Sequence, residues 1–220
     1  MPFDLAKEAL IASGLGDQRQ IAHYLAKLEQ LHSLFLDFTR GIGSSSPVEK
    51  AEKLFRFLWR EKPFRYKKNG PFKFHTVIRN QLSKDTLVVG NCLGLTLLYN
   101  SLLLKHNIAA KALYLEDAFG EGPHVLTVIE TGGLILDVEN VLPWGFGYKG
   151  HIANHYRVIW DNRELVADLY LSMGNEFFNE SHLDEAEAAY EMALRLNPRH
   201  EKARLNRVIL MDKRTSETRG

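Results

Sequence analysis

The sequence predicts an α+β fold in which helices pack on an antiparallel sheet. Three observations lead to this class. Helical patterns fill the chain up to about residue 106, four apolar strand-like segments follow between residues 110 and 160, and a helical pattern returns from about residue 163. A run of consecutive strands with short Gly-rich connectors favours a separate antiparallel sheet over the alternating strands and helices of a parallel one.

The N-terminal part, residues 1–45, is predicted to contain helices over 4–13 and 17–40. In the second of these, apolar residues recur mostly at steps of three and four, as helical periodicity requires: Ile21, Tyr24, Leu25, Leu28, Leu31, Phe35 and Phe38. The next helix should begin after Ser46, with Pro47 at its first position and Glu49 completing a capping box. It should run to about Arg60, and residues 62–75 then read as loop or short strand.

The middle of the chain, residues 46–162, is predicted to form the core domain. Leucines cover most of the circumference of a helix from Cys92 to about His106, so this helix should be central and buried. The predicted strands that follow span residues 110–116, 124–130, 134–139 and 156–160.

The C-terminal part, residues 163–214, returns to helix with a different signature. Eight residues fall at the repeat positions 4, 7, 8, 11, 20, 24, 27 and 32: Tyr170, Met173, Gly174, Phe177, Ala186, Tyr190, Ala193 and Pro198. The segment resembles a tetratricopeptide repeat, a hairpin of two helices. A single hairpin cannot bury its own apolar face, so we expect it to pack on the core domain or on a protein partner. Residues 215–220 should form a frayed tail.

Composition narrows the class of protein. The chain has 220 residues and a formal net charge of +1, so its overall field argues neither for nor against nucleic-acid binding. One cysteine excludes an intramolecular disulfide framework and a cysteine-rich zinc site. We see neither a signal-peptide pattern nor an apolar stretch of bilayer length, and expect a cytoplasmic protein without membrane contact. The basic and aromatic run at 64–75 is typical of single-strand nucleic-acid binders, but a solvated loop explains it better.

The lone Cys92 is either a small buried hydrophobe or a nucleophile. A nucleophilic thiol needs a base and a group that orients the base. His124 follows 32 residues later and Asp137 another 13 residues on, both in predicted strands. Asn91 is a good N-cap, which places Cys92 in the first turn of its helix. There the free N–H groups and the helix dipole favour a thiolate and could bind an oxyanion.

The loop between the two strands tests whether His124 and Asp137 meet. A four-residue loop, Ile129–Gly132, would set the two residues directly opposite each other, with Cβ atoms roughly 5 Å apart. A two-residue Gly132–Gly133 loop would pair residue 128 with residue 137, leaving His124 and Asp137 on one face but about 13 Å apart. A three-residue loop would place them on opposite faces.

Together, "GNCLGLTLLYNSLLLKHNIAAKALYLE" and "HVLTVIETGGLILDVEN" resemble the core of the transglutaminase-like superfamily, which is related to papain-like cysteine proteases. The resemblance covers about residues 47–160 and implies that Cys92 is the nucleophile, His124 the base and Asp137 its orienter. Leu126 and Val138 depart from the family pattern. The resemblance implies an amide hydrolase or acyl transferase that acts on a peptide or protein through a thioester, without metal or cofactor. The alternative is a catalytically inactive scaffold that binds a partner through the core and the C-terminal hairpin.

Several further residues are candidates for parts of such a site. Asn91, Gly94 and Trp144 are predicted to contact substrate, with Gly90 and Gly94 letting a substrate backbone approach. Gln81 is a weaker candidate for an oxyanion donor, and the loop at 117–123 could gate access to His124. His151 and His155 have the i, i+4 spacing of metal ligands, although no Glu follows His151 and the segment reads equally as a loop.

Overall fold

The computed structural model describes residues 3–41 and 46–217, and confirms the α+β class. Within these ranges it has eight helices and four strands. In chain order they are α1 (Leu5–Ala12), α2 (Gln18–Phe38), α3 (Pro47–Glu61), α4 (Phe74–Leu82), α5 (Cys92–Lys105), β1 (Ala110–Leu115), β2 (His124–Thr131), β3 (Leu134–Val138), β4 (Arg157–Trp160), α6 (Asn162–Asn179), α7 (Leu183–Leu196) and α8 (Glu201–Glu217).

The predicted N-terminal helices are present, and the capping signals act as expected. The Ser46 side chain accepts from the backbone N–H of Glu49, the Glu49 carboxylate accepts from the N–H of Ser46, and Pro47 is the first helical residue. Residues 62–73 form turns and loop with one isolated bridge, from Tyr66 to Gly90, while α4 starts at Phe74 inside the segment predicted as loop or strand. Within the described ranges, no helix is both long enough and apolar enough to cross a membrane.

The sheet has the strand order β3-β2-β1-β4, and neighbouring strands are antiparallel. Gly132 and Gly133 form the β2–β3 turn with φ angles of 56° and 80°. Thr131 pairs with Leu134, and Val128 therefore pairs with Asp137. Of the three loop lengths that the sequence left open, the two-residue loop occurs. A two-residue turn that matches the twist of the strands needs positive φ at both central positions, which two glycines supply without strain.

Helix α5 runs alongside β2, and buried polar contacts fix their relative position. The Thr96 hydroxyl donates to the carbonyl of Val125 at 3.2 Å. One turn later, the Thr127 hydroxyl donates to the Asn100 side chain at 2.6 Å. Cys92 lies one turn before Thr96, so it is level with the beginning of β2, where His124 is located.

The C-terminal helices pack on the rest of the chain, as expected for a hairpin that cannot bury its own face. Three residues of α6 belong to the main core: Leu165, Val166 and Leu169. Helices α6 and α7 also approach closely, since a Cβ on Gly174 would lie 2.5 Å from the ring of Tyr190. Residues 215–217 of the predicted tail are helical, and 218–220 lie outside the described residues. The likeness to a tetratricopeptide repeat stays a prediction.

Candidate active site

Cys92 is the first residue of α5 and is only partly buried. The Asn91 side chain caps the helix by accepting from the backbone N–H of Gly94 at 3.0 Å, as the sequence predicted. The backbone N–H groups of Cys92 and Leu93 lie in the first turn, where an α-helix has no intrahelical acceptors for them. The thiol therefore lies beside backbone donors at the positive end of a helix dipole.

His124 is buried and contacts Glu139, an acidic residue that is not among those predicted for the site. Its Nε2 donates to the carboxylate of Glu139 and is 2.9 Å from each oxygen. Burial opposes protonation of the ring, but hydrogen bonds with the Cys92 side chain and with Glu139 outweigh it and raise the pKa of His124 to about 10. Because Nε2 faces the carboxylate, Nδ1 is the ring nitrogen left for Cys92.

Glu139 follows directly after β3, and its side chain is 0 % exposed. His151 Nε2 also donates to it at 2.9 Å, and the backbone N–H of Val141 does so at 3.3 Å. Burial raises the pKa of the Glu139 carboxyl, but the hydrogen bonds from the two histidines outweigh this and lower it below its usual value. The residue is thus held as a carboxylate between two imidazole rings.

Asp137, the predicted orienter of His124, binds a different partner. Both of its oxygens accept from Arg157, at 2.9 and 3.0 Å. The predicted pairing of His124 with Asp137 is wrong because the two-residue turn shifts β3 along β2. Arg157 Nη1 also donates to the carbonyl of His151 at 2.8 Å, so the ion pair helps to fix the segment that carries this histidine.

The segment at 140–147 holds Glu139 in place. The backbone N–H of Glu139 donates to the carbonyl of Gly145 at 2.8 Å. A Cβ on Gly145 would lie only 2.0 Å from the Glu139 carbonyl oxygen, so this close approach requires glycine. Next to it, the Asn140 amide donates to the hydroxyls of Thr96 and Thr127, at 3.2 and 2.9 Å. Asn140 therefore ties the end of β3 to both α5 and β2.

The glycines near Cys92 permit close packing, and their predicted contact with a substrate backbone stays a prediction. A Cβ on Gly94 would lie 2.7 Å from the Val77 side chain, and a Cβ on Gly90 would lie 2.8 Å from the carbonyl of Pro71. The Gln81 amide donates to the carbonyl of Leu58, so it is not directed to an oxyanion at Cys92. Trp144 is 71 % exposed, and its predicted contact with substrate stays a prediction.

The loop at 117–123 forms an outer wall over the two histidines. The ring of Phe119 lies edge-on to His151 and to His124, with centroid distances of 4.7 and 5.8 Å, yet the residue is 53 % exposed. Across the surface, Lys68 Nζ pairs with Glu121 Oε2 at 3.1 Å. The predicted gating role of this loop is compatible with its position beside His124.

His151 and His155 do not act as a pair. Residues 151–153 form a turn rather than a helix, and His155 is exposed whereas His151 is buried against Glu139. The sequence did carry a signal for Glu139. Glu139 lies two residues after Asp137, and side chains two residues apart along a strand point to the same face of the sheet. A two-residue turn brings residue 139, and not residue 137, towards the beginning of β2.

Cys92, His124 and Glu139 thus form a connected set of thiol, imidazole and carboxylate, with His151 bound to the same carboxylate. No protein-family model, no curated protein and no solved structure gives a significant match to this chain.

Proposed function

We propose that the protein is a thiol-dependent amide hydrolase or acyl transferase, built on a transglutaminase-like core. The observation that carries the proposal is the buried His124, whose Nε2 donates to the Glu139 carboxylate at 2.9 Å. The Cys92 and Glu139 side chains both stabilise the charged ring. An imidazolium beside a thiol favours the thiolate, which is the nucleophilic form of cysteine. In this proposal Glu139 takes the orienting role that the sequence analysis gave to Asp137.

In the proposed reaction, Cys92 Sγ attacks the acyl carbon of an amide. The oxyanion that forms accepts hydrogen bonds from backbone N–H groups in the first turn of α5. His124 then gives its proton to the leaving amine, the C–N bond breaks, and a thioester on Cys92 remains. Water or a second amine attacks the thioester and transfers a proton to His124, which releases an acid or a new amide together with the thiolate.

Glu139 would hold His124 in the productive orientation and stabilise the imidazolium. The burial of Glu139 strengthens its attraction to the imidazolium, because water screens the interaction between two charges less inside the protein than at the surface. The partly buried thiol at the protein surface is compatible with a peptide or protein substrate, the class that the sequence resemblance implies.

The rate of Cys92 alkylation tests the proposal. At mildly acidic pH, iodoacetamide should modify Cys92 much faster than free cysteine, because only the thiolate reacts. His124→Ala should slow the reaction to the rate of an ordinary thiol. His155→Ala, which changes an exposed histidine nearby, should leave the rate unchanged. Equal slow rates in the wild type and in His124→Ala would contradict the proposal.

Trapping of an acyl-enzyme then separates hydrolysis from transfer. A library of peptide amides, with and without an added primary amine, should yield a mass increase on Cys92 and either free acid or a new amide. Cys92→Ser should abolish the adduct and both products.

The second candidate is a scaffold without activity, and one surface feature favours it. A groove of about 680 Å³ lies between β4 and α8, lined by residues that include the exposed Val158, Ile159 and Leu205. It lies away from Cys92 and would bind a partner through apolar contact. Ordinary thiol reactivity in the alkylation experiment would favour this candidate over the enzyme.

A further inference from the structure

His124, Glu139 and His151 bring three metal-binding groups together within the site. One ring nitrogen from each histidine and one carboxylate oxygen of Glu139 lie within 4.8 Å of one another. All three side chains are buried. Two imidazoles and one carboxylate form a ligand set typical of zinc sites that keep a fourth position open.

We infer that these three residues bind a divalent transition-metal ion, and specifically zinc. In a tetrahedral zinc site the ligand atoms are roughly 3.3 Å apart. The present contacts from Glu139 to His124 and His151 are both 2.9 Å. A small outward shift of the side chains would therefore admit the ion in place of the two hydrogen bonds. Nitrogen ligands favour zinc over magnesium and calcium, which prefer oxygen.

The surroundings of the cluster fit this inference. Among the described residues, Glu139 forms its ion pairs with the two histidines alone, so no lysine or arginine occupies the place of the metal. In contrast, the neighbouring Asp137 is neutralised by Arg157. The carboxylate of Glu139 keeps a contact with the N–H of Val141, and the carbonyl of His151 is fixed by Arg157. Such outer contacts orient metal ligands.

The loop at 117–123 is the part of the structure that would have to move to admit an ion. The ring of the partly exposed Phe119 covers His151 and His124, and it belongs to a loop in which Gly120 and Gly122 adopt positive φ. A change of conformation in this loop would expose the Nε2 side of both histidines without disturbing the sheet.

Cys92 lies outside the inferred ligand set. His124 offers Nε2 to the metal, and Nδ1 is the nitrogen left for the thiol. Zinc bound at Nε2 would separate His124 from Glu139 and prevent the ring from carrying a second proton. Zinc should therefore be a reversible inhibitor of the thiol. This consequence rests on the proposed function, whereas the binding of the metal does not.

Titration of the full chain with Co²⁺ tests the site, since tetrahedral cobalt is coloured. After treatment with a chelator, the wild type should bind one equivalent and show the visible bands of tetrahedral cobalt without a thiolate charge-transfer band. Cys92→Ser should bind equally well. His151→Gln should weaken binding by at least about 100-fold. His155→Gln, the matched control at an exposed histidine, should not change it.

The ring resonances of the histidines give a measurement that does not depend on the folding of a variant. One equivalent of Zn²⁺ should shift the imidazole NMR signals of His124 and His151 in the wild type, but not those of His155. Unchanged cobalt binding in a folded His151→Gln variant, loss of binding in Cys92→Ser, or unchanged ring signals of His124 and His151 would overturn the inference.

The effect of zinc on alkylation distinguishes failure of the site from failure of the proposed function. If both hold, Zn²⁺ slows alkylation of Cys92 in the wild type and not in His151→Gln. If only the metal site holds, cobalt still binds to Cys92→Ser while the thiol of the wild type reacts at an ordinary rate. If only the proposed function holds, the fast alkylation is insensitive to zinc.

Discussion

The charge on His124 depends on two neighbouring side chains. Cys92 and Glu139 together raise its pKa to about 10, although burial acts in the opposite direction. We expect NMR titration of the His124 ring to show an imidazolium up to about pH 10. Glu139→Gln should lower this pKa, because one of the two stabilising partners becomes neutral. A ring that titrates near 6.5 in the wild type would contradict the assignment.

The sign of the linked stability change follows from the direction of the shift. The folded pKa of His124 lies above the unfolded value of about 6.5, so the protonated ring stabilises the folded state. This contribution is complete below pH 6.5 and is lost as the pH rises through about 10. In Glu139→Gln this contribution should be smaller and should be lost completely at a lower pH.

The neighbouring carboxylates Glu139 and Asp137 make a matched pair for mutation. Glu139→Gln keeps the shape of the side chain but removes the charge that faces His124, and should slow acyl-enzyme formation by about 10²–10⁴-fold. Asp137→Asn weakens the contact with Arg157 and leaves the Glu139–His124 contact in place. Its effect on the same rate should be much smaller. A larger loss in Asp137→Asn would return the orienting role to Asp137.

At the residue scale, the sequence was sufficient to predict where Asn91, Cys92 and His124 lie in their helix and strand. Their placement depends on local signals. A helix cap, a first turn and the beginning of a strand can each be read from a few residues. The carboxylate partner could not be assigned with the same certainty, since it depends on strand register. Adding or removing one residue in the turn changes which residues are paired along the whole hairpin.

The element most exposed to disruption is the turn after β3, because it sets the position of Glu139. Gly145→Ala would place a Cβ 2.0 Å from the Glu139 carbonyl oxygen, and backbone atoms cannot yield cheaply. We expect a loss of about 1–3 kcal/mol in the free energy of unfolding, together with slower alkylation of Cys92. Urea denaturation and the alkylation rate measure the two effects.

Gly16→Ala is the matched control for that substitution. Gly16 has nothing within 4 Å of its ideal Cβ position, so the change should be within about 0.5 kcal/mol. If Gly145→Ala proves as mild as Gly16→Ala and leaves the thiol reactive, the turn does not hold Glu139 as described.

At the element scale, sequence patterns with a clear period were sufficient to predict the helices. Short or aperiodic segments were not. The capping box of α3 and the leucine-rich α5 match their predictions within one or two residues. In contrast, α4 begins at Phe74 directly after a proline-rich loop and has no side-chain cap, so its start has no local signal. Its burial against the rest of the core supplies the stability that local preference lacks.

At the scale of the whole molecule, the C-terminal helices share the core that positions α5. Leu165, Val166 and Leu169 of α6 belong to the same buried cluster as Leu95, Leu98 and Leu102 of α5. The sequence predicted that the helical hairpin must cover its apolar face, but it could not tell the core domain from a partner. Whether the hairpin packs on the core domain or on a partner depends on the shapes of the two surfaces, which residue patterns do not encode.

This shared core predicts that α6 unfolds together with the sheet and α5. Leu169→Ala removes a fully buried side chain at the junction and should reduce the free energy of unfolding by about 2–5 kcal/mol. Leu205→Ala on α8 is the control, since Leu205 is 59 % exposed and its loss should cost little. Urea unfolding followed by both circular dichroism and tryptophan fluorescence should give coincident single transitions for each protein. Separate transitions, or a mild Leu169→Ala, would show that the C-terminal helices fold independently of the domain that carries Cys92.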